Sequence, residues 1–186
     1  MAASKSWHPI DLTVRLGHFF AARREITGAL CVGLSGGRDS VVLLHALSRL
    51  GLANPLMAVH VHHGLSPQAD AWEAHCRRLC AEWNVAFSAV SVRVERDSGL
   101  GLEAAARKAR YRVFADCPAQ AILLAHHLGD QAETLLFNLL RGSGLAGAAS
   151  MQVDRDWAGL RLLRPLLETA PQEIEAYARQ NRLSWV

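Results

Sequence analysis

Four times along the chain, a short apolar run rich in β-branched residues is followed by an amphipathic stretch with helical spacing. The apolar runs are Leu30–Leu34, Leu56–Val61, Val85–Val94 and Ala121–Ala125, with a weaker fifth at Leu160–Leu163. The stretches between them are Asp39–Leu50, Ala69–Asn84, Leu102–Asp116 and Asp130–Arg141. Within one of them Trp72, Cys76, Leu79 and Trp83 recur at three- and four-residue steps, the stripe by which a helix packs on a core. Strands joined through helices need crossovers, which are right-handed and make neighbouring strands parallel. The predicted fold is α/β: a doubly wound, mostly parallel five-stranded sheet with helices on both faces. A further helix, about Leu12 to Arg24, precedes the first strand, and a last one starts near Pro171, a residue suited to the first helical position.

Gly142–Asp156, rich in glycine and small residues, reads as a long functional loop. LSWV at 183–186 reads as the start of another strand. Residues 1–186 are therefore expected to be a single domain taken from the N-terminal part of a longer protein.

Composition narrows the function classes. Of the 186 residues 51% are hydrophobic and 20% charged, which excludes a disordered chain. No apolar run approaches the 18 or so residues of a membrane span, and no signal-peptide pattern opens the sequence, so a soluble, cytoplasmic protein is expected. Cys31, Cys76, Cys80 and Cys117 form neither a disulfide framework nor a CxxC pair. Cys76 and Cys80 stand at helical i, i+4 spacing and read as thiols of an amphipathic helix, since no second ligand pair follows at zinc-site spacing. The net charge of +3 is mild. Lys5 and Lys108 are the only lysines among the 20 basic residues, a bias toward the guanidinium that suits phosphate but that codon usage explains equally well.

The stretch CVGLSGGRDSVVLLHAL carries most information. A buried strand runs into SGGRDS at 35–40 and straight into an apolar helix, the place where an open parallel sheet binds nucleotides. Gly36 and Gly37 permit positive φ and let the backbone approach an anion, while successive N–H groups and the helix N-terminus face it. Ser35 and Ser40 add hydroxyl donors, and Asp39 makes sense through a Mg²⁺ ion. The plain alternative is a strand–helix turn capped by Ser35 or Asp39. Neither G-x-x-x-x-G-K-[ST] nor G-x-G-x-x-G is present, so a kinase-type loop and a dinucleotide fingerprint are both excluded.

SGGRDS resembles the pyrophosphate loop of N-type ATP pyrophosphatases. Three further stretches accompany it: HVHHGL at 60–65, EAAARKARY at 103–111, and AHHLGDQAET at 125–134 followed by RGSG at 141–144. Arg107 and Arg110 stand three apart on one helix face, whereas neighbouring His62–His63 and His126–His127 point to opposite sides of a strand end and do not read as a zinc site. Asp130 and Glu133 follow at i, i+3 in the first turn of a helix, where acids also simply complement the dipole. In this order the motifs resemble the tRNA(Ile)-lysidine synthetases, whose adenine nucleotide alpha hydrolase-like domain is the fold implied.

That resemblance implies ATP-dependent adenylation of C2 of the wobble cytidine in tRNA(Ile) with a CAU anticodon, followed by attack of L-lysine. It further implies that Ser35, Gly36, Gly37, Arg38, Asp39 and Ser40, with His60, His63, Gly64 and His127, bind ATP. Asp39 and Asp130 would hold Mg²⁺, Asp130 and Glu133 would hold metal or the lysine ammonium, and Arg107 and Arg110 would meet phosphate or RNA. Gly129 stands where the pattern often has the first aspartate of a DD pair, a change expected to be tolerable if Asp130 is the essential acid. The alternatives are a tRNA thiolase of the same superfamily, which usually needs paired cysteines, and a non-catalytic ATP-binding module.

Overall fold

The computed structural model describes residues 11–94, 101–140 and 151–186. Its strands are β1 (Leu30–Gly33), β2 (Leu56–His62), β3 (Ala86–Ser91), β4 (Ala121–Leu123), β5 (Asp154–Trp157) and β6 (Leu160–Leu163). Its helices are α1 (Leu12–Ala21), α2 (Arg38–Arg49), α3 (Ala69–Glu82), α4 (Leu102–Ala115), α5 (Leu128–Leu140) and α6 (Pro171–Gln180). Hydrogen bonding orders the strands β3-β2-β1-β4-β6-β5, all parallel except β5, which runs antiparallel to β6. Among the described residues no helix is long and apolar enough to cross a membrane.

Strand alternation builds two cores, one on each face of the sheet. Leu30, Val32, Ala121, Leu123 and Leu163 point to the side carrying α1, α2, α3 and α6, where Leu16, Leu43, Leu79 and Ile174 complete the packing. Cys31, Val59, Ile122 and Leu162 point to the other side and meet Phe114 of α4. Because both faces are covered, the central strands are apolar at every position, as parallel strands require. Cys76 and Cys80 are buried thiols, and Cys31 meets Cys117 at 3.0 Å.

The sheet has six strands, one more than expected. The additional strand, Asp-Arg-Asp-Trp at 154–157, falls at the end of the segment expected to be a loop, and its charged sequence gives no strand signal. It is an edge strand, where charge is tolerated and even protective. Asp154 is held by Arg23 (3.0 Å) and by Arg161 of the partner strand (2.9 Å). Burial opposes ionisation of Asp154, but these hydrogen bonds outweigh it and keep the carboxyl below its ordinary range. Residues 142–150 of that segment, including the rest of RGSG, lie outside the described residues, as does Arg141.

LSWV at 183–186 forms no strand. It folds against the loop after β1 instead: the Val186 N–H donates to the Gly36 carbonyl at 3.1 Å, and the Ser184 carbonyl pairs with His75 Nε2 at 3.1 Å. The strand expected over Val85–Val94 is shorter, α1 ends three residues early, and α5 begins two residues before Asp130.

Gly33, the last residue of β1, sits where a Cβ would lie 2.9 Å from the Phe114 ring and 3.1 Å from Leu124. Gly33→Ala is expected to lose about 1–3 kcal/mol to overpacking. A thermal melt should show a midpoint lowered by several degrees, and an unchanged midpoint would mean that α4 can move away from the sheet at no cost.

Candidate functional site

Between β1 and β4 the strand order reverses: the chain leaves β1 toward β2 on one side, and β4 is followed in the sheet by β6 on the other. The connections diverge there, opening a crevice at the carboxyl ends of the strands. It forms a cleft of about 580 Å³, the size of a small-ligand site. Ser35, Gly37, Asp39 and Ser40 line it from the loop, His60, His63 and Gly64 from the end of β2, and Arg110, His126 and Asp130 from the opposite side.

The loop holds its own shape. Ser40 Oγ accepts from the Ser35 N–H (3.2 Å), lies 3.0 Å from Ser35 Oγ and donates to the Gly37 carbonyl (2.9 Å). The Gly37 N–H donates to Ser35 Oγ at 3.3 Å. Gly36 has φ +89°, and a Cβ there would lie 2.8 Å from Val186 and 3.2 Å from Cys76 Sγ, so glycine is required twice over. Gly37, also expected at positive φ, is extended at φ −70° and caps α2 without a side-chain bond. The fixed serines leave the N-terminus of α2 open toward the cleft, which suits an anion.

Asp39 and Asp130 are brought together by His127. Its Nδ1 accepts from the Gly129 N–H at 3.0 Å, while the Asp130 carboxylate accepts from the His127 N–H at 2.7 Å. This reciprocal arrangement is a capping box for α5, with an imidazole as the capping acceptor. Because Nδ1 is an acceptor, the ring proton sits on Nε2, 3.5 Å from Asp39 Oδ2. The 3.6 Å approach of Nδ1 to Asp130 Oδ2 is thus the geometry of the box and not an ion pair. Asp130 has a structural task beside any chemical one. Gly129 belongs to the same arrangement: a Cβ there would lie 2.8 Å from His127 Cε1 and 3.3 Å from Pro171, so the ring occupies the space that a side chain at 129 would need.

The other histidines differ in kind. His60 is buried and donates through Nδ1 to the Leu34 carbonyl at 2.8 Å, and its desolvation holds its pKa low. His63 has a buried Nδ1 with no hydrogen-bond partner, its pKa lowered by burial and then by the Arg110 charge. A buried, unpaired polar atom is costly, and here it belongs to a residue that lines the cleft. Arg110 is half-buried, which lowers its own pKa while leaving it a cation.

Not every expected residue reaches the cleft. Arg107 is exposed and lies over Tyr111, with its guanidinium 4.9 Å from the ring; it does not line the cleft, whereas Arg110 does. Arg38 folds onto Asp39 (2.9 Å) and does not line the cleft, nor does Gly36. Glu133 is exposed in the second turn of α5, outside the lining. Conversely, Trp72, expected in the core, lines the cleft, and His126 lines it with Arg164 behind. Trp72 shares the periodicity of core residues, and Arg164 follows a strand as any basic residue could, so neither carried a signal.

Two carboxylates with free lone pairs fit a hard divalent cation that takes its remaining ligands from phosphate and water. Among the described residues no group of three or more His, Cys, Asp or Glu side chains forms a cage that would hold a metal ion unaided.

Comparison with known proteins places the chain among its relatives. The chain is 52% identical over 160 residues to the tRNA(Ile)-lysidine synthase of Alkalilimnicola ehrlichii, covering 84% of this chain and 36% of that protein. It is 47% identical over 182 residues to the enzyme of that name from Pseudomonas aeruginosa, covering 95% and 40%. The chain thus spans well under half the length of these curated relatives. Among solved structures it superposes on the U34-tRNA thiolase NcsA of Methanococcus maripaludis with a TM-score of 0.73 and 19% identity, covering 94% of this chain and 63% of that one. The NH3-dependent NAD synthetase of Campylobacter jejuni follows at a TM-score of 0.63 and 18% identity, with 92% and 72% covered. These two likenesses concern the fold alone. Over residues 11–186 the sequence matches the PP-loop domain, and the chain belongs to that family.

Proposed function

We propose that this chain is the ATP-using part of a cytoplasmic tRNA(Ile)-lysidine synthetase. The observation that carries the reading is the convergence of the SGGRDS loop, Asp39, Asp130 and Arg110 on one cleft at the sheet's switch point. In this reading ATP lies with its phosphates on the loop, where the N-terminus of α2, the Ser35 and Ser40 hydroxyls and the Arg110 guanidinium meet negative charge. Asp39 and Asp130 would hold Mg²⁺, which supplies charge neutralisation at the phosphates. The C2 oxygen of the wobble cytidine attacks the α-phosphorus and pyrophosphate leaves. The lysine amine then attacks C2 and AMP leaves, its ammonium having first given up a proton. Asp130 is the carboxylate placed to hold that ammonium if it is not engaged by metal. Residues 1–186 act here as one catalytic domain, with tRNA(Ile) selected in part by sequence found in the longer relatives.

A thiolase reading has less support. No cysteine lines the cleft among the described residues, although a structural neighbour on this fold carries a [4Fe-4S] cluster.

Because no metal cage stands ready, Mg²⁺ is expected to bind with ATP and not alone. Calorimetry should detect ATP only weakly without Mg²⁺. Asp39→Ala should lower affinity for the Mg²⁺ complex at least about tenfold, while losing under about 1 kcal/mol of stability, since its partners are half-exposed. Equal affinity in the variant would sink the phosphate-loop assignment.

Asp130→Asn keeps an acceptor for the His127 N–H and removes the charge. It should cost about 1 kcal/mol or less through the lost interaction with the helix N-terminus. Lysidine formation, measured with the native protein, a tRNA(Ile) transcript and lysine, should nevertheless fall by orders of magnitude. Normal turnover would reduce Asp130 to its capping task.

A further inference from the structure

His126 lines the cleft, yet nothing in the phosphate loop orients it. Arg164, the residue after β6, comes to it from behind: its Nε–H donates to His126 Nδ1 at 3.2 Å. Arg164 is only 3% exposed. Its Nη1 donates to the Gln152 carbonyl at 2.6 Å and it shares a further side-chain hydrogen bond with Tyr111, so the guanidinium is fixed at several points, while its backbone N–H donates to the Val153 carbonyl at 2.8 Å. No carboxylate pairs with it within ion-pair distance among the described residues. A buried, uncompensated cation is expensive, and packing alone does not account for it.

An arginine donates and cannot accept, so His126 Nδ1 must be the lone-pair nitrogen and the ring proton must sit on Nε2. Among the described residues the only hydrogen bond of the ring is the one Nδ1 accepts, and Nε2 takes none. Arg164 occupies the Nδ1 edge and does not line the cleft, whereas His126 does, which leaves the Nε2 edge toward it. We infer that Arg164 is a positioning residue: it holds His126 as a neutral imidazole whose Nε2–H is offered to an oxyanion in the cleft. On the reading above, which this inference deepens, that oxyanion is a phosphoryl oxygen of ATP.

The surroundings keep the ring neutral. Burial, then the charges of Arg164, Arg107 and Arg110, push the His126 pKa down to about 4, against the pull of Asp130 alone. A ring in that state adds a hydrogen bond without adding a fourth positive charge. It also has no proton to surrender to the pyrophosphate that leaves, since its single N–H is an extremely weak acid. Arg164 therefore acts on the reacting phosphates through another side chain and never touches them.

Long-range ¹H–¹⁵N NMR of histidine-labelled protein reads the tautomer directly. His126 should appear as the Nε2–H form with Nδ1 accepting, uncharged from pH 7 down to about pH 4, and its Nε2–H signal should move on addition of ATP with Mg²⁺. Arg164→Leu should give a tautomer mixture, a titration shifted upward because a cation that opposes protonation is gone, and ATP affinity reduced about tenfold for the misplaced bond. Arg164→Lys, which keeps a donor and the charge, should recover much of the Nε2–H population. An Nδ1–H tautomer in the unmodified protein overturns the inference whether or not any variant folds. ATP binding seen by calorimetry with no movement of the His126 signal also overturns it, and leaves the phosphate-loop assignment standing. Failure to bind ATP at all overturns the proposed function and the oxyanion together, while the tautomer still decides the role of Arg164.

Discussion

Everything in this molecule depends on the divergence of the chain between β1 and β4. Parallel strands deliver their carboxyl ends to one edge of the sheet, and a reversal of strand order prevents the connections from closing over that edge. The apolar alternation that fills two cores, one behind each face, fixes the height and tilt of every connection. The SGGRDS turn, the end of β2 and the His126–Asp130 segment therefore meet at one cleft. The cleft is a consequence of topology before it is a consequence of side chains.

Polar groups then specialise that crevice, and several do two things at once. Ser35 and Ser40 close the turn with one set of lone pairs while keeping the loop in the form an anion needs. His127 and Asp130 begin α5 and, in the same geometry, set a second carboxylate opposite Asp39. Such sharing makes helix capping and chemistry inseparable by inspection. The charge-neutral replacement is informative for that reason: it keeps the hydrogen bond and removes only the charge.

Much of this was legible in the sequence because the relevant signals are local. The run of apolar residues at 30–34 ending in SGGRDS announces a strand, a turn and a helix within a dozen positions, and the structure has them in that order. The Gly36 conformation follows from the same letters, whereas Gly37 shows that a second glycine need not share the first one's φ. What escaped were features decided by distant partners. β5 holds its charged sequence at the sheet edge with Asp154 bonded both to Arg161 of the adjoining β6 and to Arg23, which lies 131 residues away in sequence. LSWV has strand-like letters but finds its hydrogen-bond partners in the Gly36 carbonyl and His75. Arg107 and Arg110 share a helix face, yet only Arg110 lines the cleft, while Arg107 lies over Tyr111. Arg164 gains its meaning only from the histidine that the fold brings to it.

The crowding at Gly129 ties three positions to one another. The ring of His127 and the edge of Pro171 fill the volume that any side chain at 129 would need. An aspartate arriving there first would have to displace the residue that caps α5, so the substitution is harmful on this background. If His127 turned or Pro171 were replaced beforehand, the same aspartate would be accommodated. What fits at any one of positions 127, 129 and 171 thus depends on what stands at the other two.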